Sequence, residues 1–165
     1  MPRELFDFQA AESTADWSAI DDAVMGGISS SRLHHDPAGY AVFEGVVSLD
    51  NNGGFASARS RPGALGAPGA ASLVLEVRGD GKRYKLNLRT DDAFDGVNCQ
   101  AAFETPRDQW TTVRLPVSEF RPTFRGRVVA TAPPLDPGRV RQIGLMIADW
   151  QAAPFALGVR SIGAE

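Results

Sequence analysis

Cysteine is nearly absent from this chain. Cys99 is the single one in 165 residues, so no internal disulfide can form and the fold rests on packing alone. Lysine is almost as scarce, at Lys82 and Lys85, which leaves arginine to carry the positive charge. Histidine occurs twice, side by side, and no Cys/His cluster at zinc spacing accompanies the pair, so no metal is expected. No run approaches the roughly 20 apolar residues that span a bilayer, which argues against membrane insertion. The formal net charge of −3 argues against nucleic-acid binding driven by bulk charge. The first twelve residues contain Glu4, Asp7 and Glu12 and no long apolar run, unlike a secretory signal or an acid-poor transit peptide. A cytoplasmic protein is the expectation.

What the chain does have is short strand signals. Branched and aromatic residues predict strands over 40–49, 72–78, 83–90, 97–103, 111–117, 142–148 and 155–162, separated by Gly, Pro, Asp and Asn clusters. The clearest pair is Leu73-Val74-Leu75-Glu76-Val77-Arg78 and Arg83-Tyr84-Lys85-Leu86-Asn87-Leu88-Arg89, joined by a glycine-bearing turn. Leu73, Leu75 and Val77 alternate with polar neighbours, as do Tyr84, Leu86 and Leu88, so each strand has one core face. No helix of ordinary length stands out, although short turns are predicted near 15–25 and 117–120. The Pro/Gly-rich stretches 62–70 and 131–138 read as irregular connections. The length suits one domain over 1–165, and the fold class is an all-β antiparallel β-sandwich.

Chemistry is harder to find. His34-His35-Asp36 reads as a solvated turn, because adjacent strand residues point to opposite faces and cannot readily share an ion. Arg78-Gly79-Asp80 spells an adhesion tripeptide, but its hairpin position makes that coincidental. The Gly79-Asp80-Gly81 run is a poor phosphate cradle, since no helix follows it. No glycine-serine-glycine elbow is present, and Cys99 alternates in phase with Val97, Ala101 and Phe103 as a buried small hydrophobe. An enzyme is unsupported. Lys85, Asn87 and Arg89, with Asn98 and Gln100, line the polar side of the predicted sheet, a set of donors and acceptors suited to a sugar, a carboxylate or a peptide. The plain alternative is a solvated outer face. Arg125-Gly126-Arg127 sets two guanidinium groups close together, to clamp an acidic partner or to pair locally. Trp17 and Trp110 are expected in the core.

Paired glycines mark two further segments, Asp21-Asp22-Ala23-Val24-Met25-Gly26-Gly27-Ile28-Ser29 and Asn52-Gly53-Gly54-Phe55-Ala56-Ser57-Ala58-Arg59. Phe43-Glu44-Gly45, Val77-Arg78-Gly79-Asp80-Gly81-Lys82-Arg83-Tyr84, Trp110 through Leu115-Pro116 to Phe120, Arg125-Gly126-Arg127, Ile143-Gly144-Leu145-Met146-Ile147-Ala148-Asp149 and Pro154-Phe155-Ala156-Leu157 occur with them. Taken in order, these stretches resemble the complex I intermediate-associated protein 30 family over 6–163. The resemblance implies a galactose-binding-like jelly roll akin to carbohydrate-binding modules. In mitochondrial members it implies a non-enzymatic role in assembling respiratory NADH:ubiquinone oxidoreductase through protein contacts. It brings no catalytic residues and no cofactor. Two departures stand out: Ala153 occupies a position that is usually glycine, and the transit peptide and N-terminal extension of mitochondrial members are missing, as expected of the bare domain.

Asp22, Gly26, Gly27, Gly53 and Gly54 are therefore expected to shape loops at the sandwich rim, and Asp22 alone cannot assemble the six or more oxygens of a calcium site. A protein partner is expected on one sheet face and this rim, with Arg125 and Arg127 as candidate contacts. The alternative is a glycan held by Arg59, Lys85, Asn87, Arg89 and Gln100. Trp150 on a nearby loop is the one aromatic expected within reach of that set.

Overall fold

The computed structural model describes residues 3–19, 30–49, 54–90, 97–124, 127–129, 131–148, 151 and 153–165. Among these, two antiparallel sheets stack face to face. The strands are β1 (Arg3–Asp7), β2 (Trp17–Ala19), β3 (Ser30–Asp36), β4 (Tyr40–Val47), β5 (Ala56–Ser60), β6 (Ser72–Arg78) and β7 (Arg83–Arg89). They continue with β8 (Asn98–Glu104), β9 (Trp110–Pro116), β10 (Arg121–Phe124), β11 (Arg127–Val128), β12 (Gln142–Ile147) and β13 (Ala153–Ala164). One sheet runs β3-β4-β13-β6-β9, with β1 also on β13; the other runs β11-β10-β8-β7-β12-β5-β2.

Period-2 alternation dictates this layering. Leu73, Leu75 and Val77 of β6 and Tyr84, Leu86 and Leu88 of β7 are all buried, from opposite sheets. Phe43, Tyr84 and Phe155 meet between the sheets with ring centroids 5.0–6.5 Å apart, close enough for edge-on attraction beyond simple burial. Gly63 N–H donates to the Arg141 carbonyl at 2.7 Å and Ala67 N–H to that of Pro137 at 2.8 Å, so the two irregular connections run against each other.

The register of β13 shifts between Val159 and Ser161, a bulge that leaves Arg160 exposed on the outside. Two non-glycine residues have positive φ, Asp108 at 57° and Ala153 at 106°, among the described residues. Gly54 has φ 139°, a backbone angle that favours glycine; Asp22, Gly26, Gly27, Gly53 and Arg125 lie outside the described residues.

Three expectations need correction. His34-His35-Asp36 is not a solvated turn but the end of β3, held by backbone pairing with β4 and by side-chain contacts of both imidazoles. Trp17 is buried, but Trp110 is half-exposed on the outside of its sheet, because Thr111, Val113 and Leu115 are the inward phase of β9. The turn predicted near 15–25 holds only at Ala15 and Asp16, just after a short 3-10 turn at Ala11–Thr14; Trp17–Ala19 is a strand, and residues 20–25 lie outside the described residues.

Candidate functional site

The polar face predicted from β7 and β8 exists and is wider than expected. Gly144 of β12 lies between Arg59 of β5 and Asn87 of β7, and Asn87 pairs with Gln100 of β8, so the four form one row across the sheet. A Cβ on Gly144 would stand 3.3 Å from Arg59 Cβ and 3.6 Å from Asn87 Cβ, so its absence lets the long side chains close over it. Asn87 and Gln100 lean their amides toward Met146 Sδ, at 3.9 and 3.7 Å.

This packing alters the expected exposure. Asn87 is 8 % exposed and Arg89 5 %, while Lys85, Arg59 and Gln100 keep partial access to water. The expectation of an open face therefore fails for Asn87 and Arg89, which neighbouring side chains bury. Asn87 Oδ1 is buried without a hydrogen-bond partner. Neither tyrosine stands on this face, nor does Trp17 or Trp110; Trp150 lies outside the described residues.

The outer face of the other sheet carries a cluster that sequence reasoning missed. Tyr40 and Trp110 meet edge to face at 5.1 Å. Arg78 lies 5.4 Å from the Tyr40 ring and 5.3 Å from the Trp110 ring, and its Nη2 donates to Tyr40 Oη at 3.0 Å. The bulged Arg160 sits 3.9 Å above Trp110 and donates to Glu76 at 2.9 Å. Gly158 lies beneath both rings, where a Cβ would come within 3.3 Å of Trp110. One signal was available in the sequence: Trp110 alternates in phase with Thr112 and Arg114, which marks it as outward-facing.

Two residues back along β13 from Gly158, at Ala156, a cleft of ≈ 670 Å³ opens. Ser31 and Arg32 of β3, Glu44 and Val46 of β4, and Pro154 to Ala156 of β13 line it together with Asp80, Lys82 and Arg107. Glu44 Oε1 accepts from Arg32 Nε at 3.1 Å and Nη2 at 2.7 Å, and meets His34 Nε2 at 2.9 Å. The hydrogen bond from Arg32 holds the Glu44 carboxyl below its ordinary pKa. His35 Nε2 stands 3.0 Å from the Phe8 carbonyl, so both imidazoles are engaged.

Asp80 ties the β6–β7 turn to β13. Its Oδ1 accepts from Tyr84 Oη at 3.0 Å and from Lys82 N–H at 3.2 Å, while its Oδ2 accepts from Ala156 N–H at 2.9 Å. Burial, and then the Asp80 charge, push the Tyr84 phenol far above its ordinary range. Burial also raises Cys99, whose thiol is the core-facing hydrophobe expected of it. Among the described residues, no three His, Cys, Asp or Glu side chains come together to hold a metal, and no helix is long and apolar enough to cross a membrane. Arg127 is exposed on β11.

Solved structures of similar shape include carbohydrate-binding modules. A family 11 carbohydrate-binding module of a cellulosomal cellulase from Clostridium thermocellum superposes with a TM-score of 0.73, covering 99% of this chain and 94% of that one at 15% identity. The same organism's family 11 module in complex with a β-1,3-1,4-mixed-linked tetrasaccharide gives 0.72. At that identity the likeness establishes the galactose-binding-like jelly-roll fold and nothing about ligand.

Sequence relatives are of another kind. A mitochondrial complex I intermediate-associated protein 30 from Neurospora crassa is 27% identical over 99% of this chain and 73% of its own length. Its namesake from Drosophila melanogaster is 27% identical over 98% of this chain and 62% of its own length. These relatives are named mitochondrial, which overturns the cytoplasmic expectation and points to mitochondria instead. The family model for complex I intermediate-associated protein 30 matches residues 6–159, and with this span of the sandwich inside the match, the chain belongs to the complex I intermediate-associated protein 30 family.

Proposed function

We propose that this chain is a non-catalytic binding domain, a single unit over 1–165, that acts in respiratory complex I assembly by holding a protein partner. The partner surface is the outer face of the β3-β4-β13-β6-β9 sheet. The observation that carries this reading is the half-exposed cluster of Tyr40, Arg78, Trp110 and Arg160. Tryptophan, tyrosine and arginine are the residues enriched at interface hot spots, and here cation–π contacts and a hydrogen bond already fix their geometry. A rigid anchor loses little side-chain entropy when a partner covers it. The exposed Arg127, with Arg125, is a second candidate contact for an acidic partner. A non-catalytic role also agrees with the buried Cys99 thiol and the two engaged imidazoles.

The test is affinity capture of the tagged chain from mitochondria of its host. Wild type should recover complex I subunits. Trp110→Ala, a half-exposed position outside the buried core, should fold with little change in Tm yet lose recovery by a factor of about 30 or more, as befits a hot spot of about 2 kcal/mol. Undiminished recovery by the variant, or no subunits with wild type, refutes the proposal.

A second reading, glycan binding by Arg59, Lys85, Asn87, Arg89 and Gln100, has one observation in its favour: Asn87 Oδ1 is buried with its hydrogen-bonding capacity unused. Against it stand the burial of Asn87 and Arg89 and the absence of a tyrosine or tryptophan platform among the described residues of that face. Saturable binding on a glycan array, lost in Lys85→Ala with Arg59→Ala, would decide for it.

A further inference from the structure

We propose that the cleft between the β3-β4-β13 end and the β6–β7 turn seats an acidic segment of the protein partner. This rests on the partner reading above and adds the chemistry of what is bound. Three cations reach the cleft: Arg32, Lys82 and Arg107. Its two acids already hold protein donors. Asp80 accepts from the Tyr84 hydroxyl and from the backbone N–H groups of Lys82 and Ala156, and Glu44 accepts from Arg32 and His34. The cations are less committed. Arg107 is 82% exposed, and its contact with Asp108 is a loose 4.0 Å. Arg32 is 69% exposed and turns only Nε and Nη2 to Glu44. Lys82 stands 3.7 Å from Asp80, beyond a short charged hydrogen bond. The cleft therefore offers N–H donors and positive charge while its own acceptors are satisfied, which complements carboxylates rather than cations.

The remaining walls say which carboxylates. Val46 is exposed and Pro154 lies beside it, an apolar strip along one side. A small free anion has no use for that strip, whereas a peptide with alternating acidic and aliphatic residues fits both halves. Ala156 of the cleft and Gly158 beneath Trp110 are two residues apart on one face of β13, so a segment leaving the cleft passes directly onto the aromatic cluster.

The experiment uses the full 15N-labelled chain and an acetylated, amidated hexapeptide alternating glutamate with leucine. Its controls are the same peptide with glutamine for glutamate, and inorganic phosphate. Saturable amide shifts are expected at Arg32, Lys82, Arg107 and Ala156. The Kd should rise at least tenfold for the glutamine peptide and for Arg107→Glu, and should rise with added salt. Absence of shifts, shifts confined to the Lys85 and Arg59 face, or equal affinity for the glutamine peptide overturns the inference. Displacement by equimolar phosphate does so too, because it marks a simple anion site. The same Arg107→Glu chain in the mitochondrial capture separates the two ideas. Undiminished recovery of complex I subunits sinks the cleft and spares the outer face. Failure of wild type to recover any subunit sinks the partner reading, while the peptide titration still decides the cleft.

Discussion

Ala153 adopts φ 106°, a backbone angle that a Cβ strongly disfavours, at a position expected to be glycine by the family's pattern. Replacing it with glycine should therefore stabilise the protein. Holding a non-glycine residue in such a region costs about 1–3 kcal/mol in the folded state. Glycine adds about 0.4–1 kcal/mol of unfolded-chain entropy in the opposite direction. The net expectation for Ala153→Gly is a gain of about 1–2 kcal/mol, or about 2–8 °C in Tm for a chain of this size. Ala153→Val, with branching at Cβ, should move the other way by at least 1 kcal/mol. Urea and thermal unfolding of the three proteins, followed by far-ultraviolet circular dichroism, read both changes. A lower Tm for Ala153→Gly would refute the strain argument, because no side-chain contact deeper than a methyl is lost.

Two further perturbations probe the tie between the β6–β7 turn and β13. Asp80→Ala removes the acceptor for a fully buried tyrosine hydroxyl and for two backbone N–H groups, and should cost about 3 kcal/mol. A double-mutant cycle with Tyr84→Phe checks this: a loss under about 1 kcal/mol, or strictly additive changes, contradicts the assignment. The raised Tyr84 pKa also predicts an alkaline limit. The folded state keeps the phenol neutral, whereas the unfolded chain ionises it near the ordinary tyrosine pKa of 10.0. This contribution is fully present below that pH and is lost above it, by up to about 1.4 kcal/mol per pH unit. Urea midpoints between about pH 9 and 11.5 should fall for wild type and fall less steeply for Tyr84→Phe, and equal slopes would count against it.

The sequence made the inner halves of both sheets legible, because β6, β7 and β8 alternate cleanly. Tyr84 between Arg83 and Lys85, and Cys99 between Asn98 and Gln100, each declare a phase that the fold keeps. Strands without branched residues stayed hidden. β3, Ser-Ser-Arg-Leu-His-His-Asp, is an edge strand made by pairing with β4, and β5 is alanine and serine apart from Arg59. Local propensity cannot report such strands, since tertiary pairing creates them. The candidate site failed to appear for a related reason. Arg32 meets Glu44 only through hairpin register, and Arg160 reaches Trp110 only because β13 is bulged. The chosen polar face came from true alternation, but pattern gives phase and not depth, so the burial of Asn87 and Arg89 was invisible.

The position of β13 has a consequence for how the molecule is made. This strand pairs with β4 and β1 along one edge and β6 along the other, joining it to residues 80 to 161 positions earlier in sequence. A nascent chain halted before Ala153 holds those three strands without their common neighbour. Half of the sandwich must then close after synthesis of that strand, with bare backbone edges waiting in the interval, the condition in which long-range β pairing is slow and exposed to aggregation.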